Sequence, residues 1–321
     1  MRRVKVLLIN AHDDPPIWVG PTLEVFKGKH DIALCDESKP LAEQFNGVEV
    51  VVDIGGWGTD EMIDAATDAK LWQVLGTGLD HTNVKRIKDN GIPLANCPGF
   101  TSSVSLAELA MMFILMLNRR SQGARQVFDK QGLGDPPGRT LNTLTLGMVG
   151  FGASARDLAL RAKPFGLRIT AIDAIPITAE VQKEYELDFA GSPDDLEKLV
   201  AESDILSLHI PSTEENRHII DARRIAMMKP TACLINVARG ALVDEDALYD
   251  ALLKGKLWGA GLDVFANEPT DPTLPVYKLP NVIVTPHVAG NTDDTMRKRR
   301  ELALDNTNRL AEGLEPLHLI D

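Results

Sequence analysis

Short apolar runs alternate with amphipathic, helix-like stretches along the whole chain. In the first half, the apolar runs that predict buried strands are residues 4–9, 31–34, 48–54, 71–75 and 92–95. Helix-like stretches such as 60–69 and 84–90 lie between them. Strands that alternate with helices in this way predict a doubly wound α/β fold with a parallel sheet.

The alternation continues through the second half of the chain. Further strands are predicted at residues 144–149, 168–172, 204–210, 232–237, 259–264 and 282–285. Helices are predicted at 156–165, 193–202, 221–227 and 244–254, and the second of these has Ser192 and Pro193 at its start. A final helix over residues 291–312 is long enough to lie back across the N-terminal half.

Residues 101–120 predict one long helix that is apolar on nearly every side from Leu109 to Leu117. A helix of this kind must be covered on most sides, so we expect it to link two domains or to pack at a subunit contact. Its nine-residue apolar run is too short to cross a bilayer, and no membrane association is expected.

A dinucleotide-binding fingerprint joins the strand that ends at residue 149 to the next helix. Its turn is Gly150-Phe151-Gly152-Ala153-Ser154-Ala155, and the following strand ends in Asp173. Gly150 permits the turn, and Gly152 lets the backbone approach a pyrophosphate at the helix N-terminus. Asp173 is placed to bind the adenosine ribose. Because Ala174 follows it and offers no cation to a 2′-phosphate, NAD is the expected cofactor.

Composition and charge narrow the class of protein. A chain of 321 residues suits two domains, and 44% hydrophobic with 25% charged residues is typical of a soluble globular protein. The net charge of −12 argues against a nucleic-acid surface. Arg297–Arg300 is the one basic cluster, and the acids around it on a predicted helix favour a solvated face.

Two further groups of residues bear on location and metal binding. Cys35, Cys97 and Cys233 are odd in number and lack metal-ligand spacing, so a reducing cytoplasm is expected rather than a disulfide framework. The segment His12-Asp13-Asp14 offers possible metal ligands, but a polar turn after the first strand is favoured for want of further ligands. No metal is expected.

Three potentially catalytic side chains follow predicted strands at one sheet edge: Arg239, Glu268 and His287. Together they suit hydride transfer between a nicotinamide and a 2-oxo acid. A histidine can donate the proton, a carboxylate touching it keeps it charged, and an arginine fork binds the substrate carboxylate. Each also has a structural alternative: a hydrogen-bonded histidine, an exposed Glu268-Pro269 turn, or an arginine paired with Asp263 or Asp244.

Two glycine-rich loops follow strands of the first half, at residues 55–59 and 76–78. Ligands of open α/β sheets lie outside the carboxyl ends of the strands, so these loops predict a substrate cradle. Trp57 offers an apolar wall there. The loop around it has no Lys or Arg, which disfavours a phosphorylated substrate.

The motifs, taken in order, resemble those of the D-isomer-specific 2-hydroxyacid dehydrogenases over essentially the whole chain. The intervals of 29 residues from Arg239 to Glu268 and 19 from Glu268 to His287 are also similar. The matching segments are Gly150-Phe151-Gly152, Asp173, His209-Ile210-Pro211-Ser212-Thr213, Asn236-Val237-Ala238-Arg239-Gly240, Gly261-Leu262-Asp263-Val264-Phe265, Glu268-Pro269 and Pro286-His287.

The resemblance implies roles for these residues. Arg239 would hold the substrate, His287 would be the acid/base with Glu268 as its partner, and backbone at Thr77 and Gly78 would lie near the substrate carboxylate, beside Trp57. Asp263 would lie near the nicotinamide carboxamide. The positions implied for cofactor contact are Gly150, Phe151, Gly152, Ala153, Ser154, Asp173, His209, Pro211, Thr213, Val237, Ala238, Asp263 and Gly290.

The resemblance also implies an architecture and an assembly. A Rossmann NAD-binding domain, residues 98–289, would be inserted into a flavodoxin-like substrate domain made of residues 1–97 and 290–321. The catalytic cleft would lie at the junction, and a homodimer would form through the NAD-binding domain.

We therefore predict an NAD-dependent enzyme that interconverts a small 2-oxo acid and its D-2-hydroxy acid. Two alternatives stay open. One is a phosphoglycerate dehydrogenase, and the other is an NAD-sensing binding protein similar to the C-terminal-binding corepressors. Formate is disfavoured because Glu268 stands where formate dehydrogenases carry glutamine.

Overall fold

The computed structural model describes residues 2–10 and 18–320, so the His12-Asp13-Asp14 segment lies outside the described residues. The chain divides into two compact units. The first unit joins the residues up to Thr101 to those from Asp293 onward, and the second unit is Ser102–Thr292. The boundaries expected from the sequence, after residues 97 and 289, lie a few residues earlier along the chain.

The first unit begins with alternating strands and helices that build a parallel sheet. Its strands are β1 (Lys5–Ile9), β2 (Asp31–Leu34), β3 (Val50–Asp53), β4 (Leu71–Val74) and β5 (Leu94–Ala95). Its helices are α1 (Val19–Phe26), α2 (Leu41–Phe45), α3 (Asp60–Ala65) and α4 (Val84–Asp89). The strand order is β2-β1-β3-β4-β5, which is the flavodoxin-like order. β3 and β4 are buried at every position, as central parallel strands are.

The second unit starts with two helices and then repeats the alternation. The helices are α5 (Ser103–Asn118), α6 (Ser121–Asp129), α7 (Ala153–Ala162), α8 (Ala179–Glu184), α9 (Leu196–Glu202), α10 (Ala222–Met227) and α11 (Glu245–Leu253). The strands are β6 (Thr145–Val149), β7 (Arg168–Ile172), β8 (Phe189–Gly191), β9 (Ile205–Leu208), β10 (Cys233–Asn236), β11 (Gly259–Leu262) and β12 (Val282–Val284). The sheet order β12-β11-β10-β9-β6-β7-β8 reverses direction at β6, as a Rossmann sheet does.

The final helix, α12 (Asp293–Ala311), packs in the first unit, as expected. Ala303 and Leu304 are buried in the same apolar cluster as strands β1, β3 and β4. Asn306 fixes the helix to the sheet, since its side-chain amide donates to Gln73 Oε1 at 2.6 Å. Two parallel-sheet α/β units of these topologies confirm the predicted fold class.

Helix α5 explains the long apolar run at Leu109–Leu117. It packs on α7 and on strands β10 and β11 of its own unit. Phe113 is fully buried, and a Cβ on Gly261 of β11 would lie 2.7 Å from it, so the helix approaches the sheet closely. Packing within the unit thus covers most of the surface that the sequence pattern assigns to a domain link or a subunit contact.

Other local features differ from the sequence-based predictions. The predicted start of the helix at residue 156 is wrong, because α7 begins at Ala153, directly after the extended residue Gly152. The helix predicted at 101–120 ends at Asn118 and is followed by α6, which the apolar pattern did not indicate. Helix α1 was also missed, since Gly20 and Pro21 in its first turn are poor helix signals.

Candidate active site

The loops that carry the three potentially catalytic residues follow β10, β11 and β12, which are adjacent in the sheet of the second unit. Because these strands are parallel, their carboxyl ends lie at one sheet edge. The structure therefore brings together the loops of Arg239, Glu268 and His287, although the first and last are 48 residues apart in sequence.

His287 and Glu268 form a short hydrogen bond, with Nδ1 and Oε2 2.6 Å apart. The other carboxylate oxygen, Oε1, accepts from the backbone N–H of Phe265 at 2.8 Å. The carboxylate is thereby fixed between the imidazole and its own loop. The side chains are 46% exposed for His287 and 26% for Glu268, so the ring is held on one side and open on the other.

The two pKa values shift in opposite directions. The hydrogen bond and charge of Glu268 raise the pKa of His287, against the opposing effect of burial. Burial disfavours the charged form of Glu268, but the hydrogen bonds from His287 and the Phe265 N–H outweigh it and lower the pKa of Glu268. The pair is thus stabilised as an imidazolium and a carboxylate, and a charged imidazole can donate a proton.

The backbone of His287 adopts a left-handed conformation, with φ at 52°. This conformation costs about 1–2 kcal/mol in a non-glycine residue and must be held by its surroundings. Its N–H donates to Asp263 O at 2.8 Å. The Asp263 carboxylate accepts from Thr285 Oγ1 at 2.5 Å and from the N–H groups of Val288 and Ala289, each at 2.9 Å.

Asp263 therefore has a role that the motif comparison did not indicate. It is fully buried, and burial raises its pKa despite the three hydrogen bonds that it accepts. These contacts fix the loop of His287 in place. The contact of Asp263 with the nicotinamide carboxamide stays a prediction.

Arg239 is half-buried at the end of β10, in a turn that Asn236 holds. The Asn236 side chain accepts from Ala238 N at 3.1 Å and donates to Arg239 O at 2.8 Å. Arg239 is close enough to affect the pKa values of both Glu268 and His287. The sequence motif includes Asn236 without indicating a role for it. In the structure Asn236 sets the turn that carries the guanidinium.

Gly240 brings the Arg239 turn against the Glu268 loop. A Cβ at this position would lie 1.9 Å from the carbonyl carbon of Phe265, so the two backbones are in direct contact. The next N–H, of Ala266, donates to Glu245 Oε1 at 2.7 Å. Glu245 lies in the helix predicted at 244–254, and no sequence signal indicated its contact with this loop.

The dinucleotide turn has the shape that a pyrophosphate requires. Gly150 has φ at 90°, and a Cβ there would lie 2.7 Å from His209 O. Phe151 N donates to Asp173 Oδ2 at 2.6 Å, which ties the turn to the end of β7. A Cβ on Gly152 would meet no atom within 4 Å, so open space lies at the N-terminus of α7. The space and the free helix terminus fit a bound dinucleotide.

His209 supports this turn from β9. Its Nδ1 lies 3.0 Å from Ser154 Oγ and its Nε2 lies 2.9 Å from Ser207 Oγ. Burial lowers the pKa of His209 to about 4, so the imidazole is neutral and links the two hydroxyls. The other predicted cofactor residues lie in loops at the carboxyl ends of β9, β10 and β12: Pro211, Thr213, Val237, Ala238 and Gly290.

In the first unit, the predicted substrate residues lie in loops after β3 and β4. Trp57 is 47% exposed and stacks on His81, with the ring centroids 4.1 Å apart. The buried carboxylate of Asp53 holds its loop by accepting from Trp57 N at 2.9 Å and Gly58 N at 3.1 Å. Thr77 is exposed and Gly78 half-buried in the loop after β4.

Comparison with known proteins agrees with this geometry. Residues 111–289 match the sequence model of the D-isomer specific 2-hydroxyacid dehydrogenase NAD binding domain. The chain belongs to the D-isomer specific 2-hydroxyacid dehydrogenase family. A hydroxypyruvate reductase of Thermotoga maritima is 38% identical over 75% of this chain and 77% of its own length. A glyoxylate reductase of Korarchaeum cryptofilum is 35% identical over 81% and 79%.

Solved structures of this family superpose on the chain. A D-lactate dehydrogenase of Aquifex aeolicus, complexed with NAD and lactic acid, is 29% identical and covers 96% of each chain with a TM-score of 0.79. A D-2-hydroxyisocaproate dehydrogenase is 25% identical and covers 99% of each chain with a TM-score of 0.85.

Family membership confirms three predictions made from the sequence. The protein is an oxidoreductase of D-2-hydroxy acids, NAD is its cofactor, and a small molecule is its substrate.

Proposed function

We propose that the protein reduces a small, unphosphorylated 2-oxo acid to its D-2-hydroxy acid, with His287 as the proton donor. The observation that carries this proposal is the 2.6 Å hydrogen bond between His287 and Glu268 in a loop beside that of Arg239. The relatives named as hydroxypyruvate and glyoxylate reductases support a substrate with a small side chain.

When bound at the α7 turn, NADH would supply a hydride to the carbonyl carbon of the substrate. His287 gives the proton to the carbonyl oxygen through Nε2, because Nδ1 is occupied by Glu268. The Glu268 carboxylate keeps the imidazole charged until the transfer. Arg239 binds the substrate carboxylate with its guanidinium fork and offsets the charge that builds on the oxygen.

The residues proposed to bind the cofactor fall into three groups, according to the part of the cofactor that each would contact. Gly150, Phe151, Gly152, Ala153 and Ser154 form the pyrophosphate turn at the N-terminus of α7. Asp173 accepts from the ribose hydroxyls with lone pairs that its bonds to Phe151 N and Ile175 N leave free. The loop residues that line the rest of the cofactor are His209, Pro211, Thr213, Val237, Ala238 and Gly290.

The first unit supplies substrate contacts. Backbone N–H groups of Thr77 and Gly78 bind the substrate carboxylate, and Trp57, stacked on His81, limits the side chain at C3. A phosphorylated side chain is disfavoured, because no Lys or Arg lies in residues 54–59 around Trp57.

The substrate class is tested with purified protein and a panel of 2-oxo acids. NADH oxidation is followed with glyoxylate, hydroxypyruvate, pyruvate, branched-chain oxo acids and phosphohydroxypyruvate. We expect the highest kcat/KM with glyoxylate or hydroxypyruvate. A preference for phosphohydroxypyruvate would favour a phosphoglycerate dehydrogenase. Tight NADH binding without turnover of any acid would favour a cofactor-sensing binding protein.

We further propose that the protein is a cytoplasmic homodimer that associates through its second unit. Large apolar side chains are exposed in that unit, among them Met112, Phe128, Leu160 and Phe165. Cys35, Cys97 and Cys233 are all free thiols, as in a reducing compartment. Among the described residues, no helix is both long and apolar enough to cross a membrane.

A further inference from the structure

The basic cluster Arg297–Arg300 on α12 is not uniformly solvated, and the expectation of a solvated face is wrong for one member. Arg297 is exposed and pairs with Asp294 and Glu301. Arg299 instead points into the first unit, where its Nη1 donates to Leu75 O at 3.3 Å. Its Nε is buried and has no hydrogen-bond partner among residues 2–10 and 18–320.

The guanidinium of Arg299 has no balancing charge in the described part of the chain. None of the described carboxylates forms an ion pair with it, and the titratable group that acts on its pKa is the buried thiol of Cys97. Burial raises the pKa of that thiol to about 12, so it is neutral. Burial also lowers the pKa of Arg299, as expected for a cation without an anion beside it. Such a charge destabilises the fold unless a ligand compensates it.

The loop that Arg299 contacts is built to receive an anion. Three of its carbonyl groups accept hydrogen bonds: Leu75 O from Arg299, Gly76 O from Cys97 N at 2.9 Å, and Thr77 O from Asn96 Nδ2 at 2.7 Å. The N–H groups of Gly76, Thr77 and Gly78 donate to no residue that the structure describes. Consecutive unpaired N–H groups can bind an anion, and the partly buried cation that donates to the same loop favours negative charge there.

We propose that Arg299 is a positioning residue for the substrate carboxylate. Its hydrogen bond to Leu75 O anchors the Leu75–Gly78 loop, and its positive charge attracts the carboxylate to the N–H groups of that loop. This inference rests on the proposed function, because the carboxylate that the loop receives is that of the 2-oxo acid. The anion supplies the countercharge that the described residues of the first unit lack at Arg299. Arg299 therefore contributes to binding of the carboxylate and not to stability of the fold.

The kinetic test compares Arg299→Met with Arg299→Lys and with Arg297→Met, a matched control on the exposed face of the same helix. Arg299→Met should raise KM for the 2-oxo acid about tenfold or more, the range for a lost charged contact, with a much smaller change in kcat. Arg299→Lys should restore part of the affinity, and Arg297→Met should leave KM unchanged. An unaltered KM in Arg299→Met would overturn the proposal.

Thermal unfolding distinguishes this role from a structural one without any turnover. Sodium oxalate, a mimic of the 2-oxo acid, should raise the Tm of the wild-type protein above an ionic-strength control. Arg299→Met should have an equal or higher Tm without oxalate and should lose the oxalate shift. A lower Tm with the oxalate shift intact would overturn the proposal even if the dehydrogenase activity is real. Loss of the shift would support it even if no 2-oxo acid in the panel is reduced.

Discussion

At the scale of single residues, the site depends on charges that shift one another's pKa values. Glu268 raises the pKa of His287, His287 lowers that of Glu268, and Arg239 lies close enough to act on both. Each side chain therefore sets the protonation of its neighbours. Single substitutions should change the pH dependence or the binding of substrate in different ways.

Replacing Glu268 with Gln should shift the pH dependence of reduction. The carboxylate raises the pKa of His287 above its usual value of 6.5, so the protonated donor persists to higher pH in the wild-type protein. Without that charge, the high-pH decline of kcat/KM for reduction should move to lower pH. The profile is measured with the best 2-oxo acid and saturating NADH. An unmoved high-pH limb would show that Glu268 does not control the donor.

Replacing Arg239 with Lys should mainly weaken substrate binding. A lysine keeps the charge but loses the planar fork that binds a carboxylate through two hydrogen bonds. We expect KM for the 2-oxo acid to rise about tenfold to a hundredfold, with a smaller fall in kcat. Arg223→Lys, at an exposed arginine that pairs with Glu197, is the matched control. Wild-type KM in Arg239→Lys would exclude the clamp role.

At the scale of elements, three strand ends and their loops hold the site through backbone contacts. Gly240 lies against the Phe265–Ala266 peptide, Glu245 of α11 accepts from Ala266 N, and Asp263 fixes the loop after β12. The side chains proposed to be catalytic extend from loops that constrain one another, so their geometry is set before any ligand arrives.

Gly240→Ala should therefore damage catalysis without touching a catalytic side chain. The new Cβ would overlap the Phe265 carbonyl and push the Glu268 loop away from His287. We expect kcat to fall more than tenfold and the free energy of unfolding to fall by about 1–3 kcal/mol. Gly20→Ala, in α1, is the control, because its Cβ would meet no atom within 4 Å. Equal kcat in the two variants would contradict the packing argument.

At the scale of the whole molecule, the Glu268–His287 pair makes the free energy of unfolding depend on pH. The pKa of Glu268 lies below its usual 4.5, so its contribution is present above pH 4.5 and is lost as the pH falls through the lowered value. The pKa of His287 lies above its usual 6.5, so its contribution is present below pH 6.5 and is lost as the pH rises through the raised value. The pair therefore stabilises the protein most in the window between pH 4.5 and pH 6.5.

Urea unfolding of wild-type and Glu268→Gln protein across pH measures this contribution. Because both side chains are partly exposed, the difference in unfolding free energy should be only about 1 kcal/mol or less within the window. It should shrink on both sides of the window. A difference that stays constant with pH would show that packing, and not charge, separates the two proteins.

The sequence predicted doubly wound parallel sheets because buried parallel strands leave a strong apolar pattern, and the two domain topologies followed from the family resemblance. It indicated Arg239, Glu268 and His287 as candidates because each follows such a strand. It did not predict that Glu245 contacts the Glu268 loop or that Arg299 contacts the loop after β4. Both are charged residues on helices, and nothing in the local pattern distinguishes a solvated charge from one that turns inward. That distinction depends on which face of α12 the first unit covers. The start of α7 was missed for a local reason, since small residues 153–155 fit a turn as well as a helix.

The most direct test of the account is the turnover of a His287→Asn variant whose NADH affinity is measured in parallel. Asparagine tolerates the left-handed backbone at this position but cannot donate a proton at neutral pH. The account predicts a kcat for 2-oxo acid reduction lower by about 10²–10⁴-fold, the usual contribution of a general acid, with NADH affinity nearly unchanged. A kcat within a few-fold of the wild-type value would contradict the role of His287 and with it the proposed mechanism.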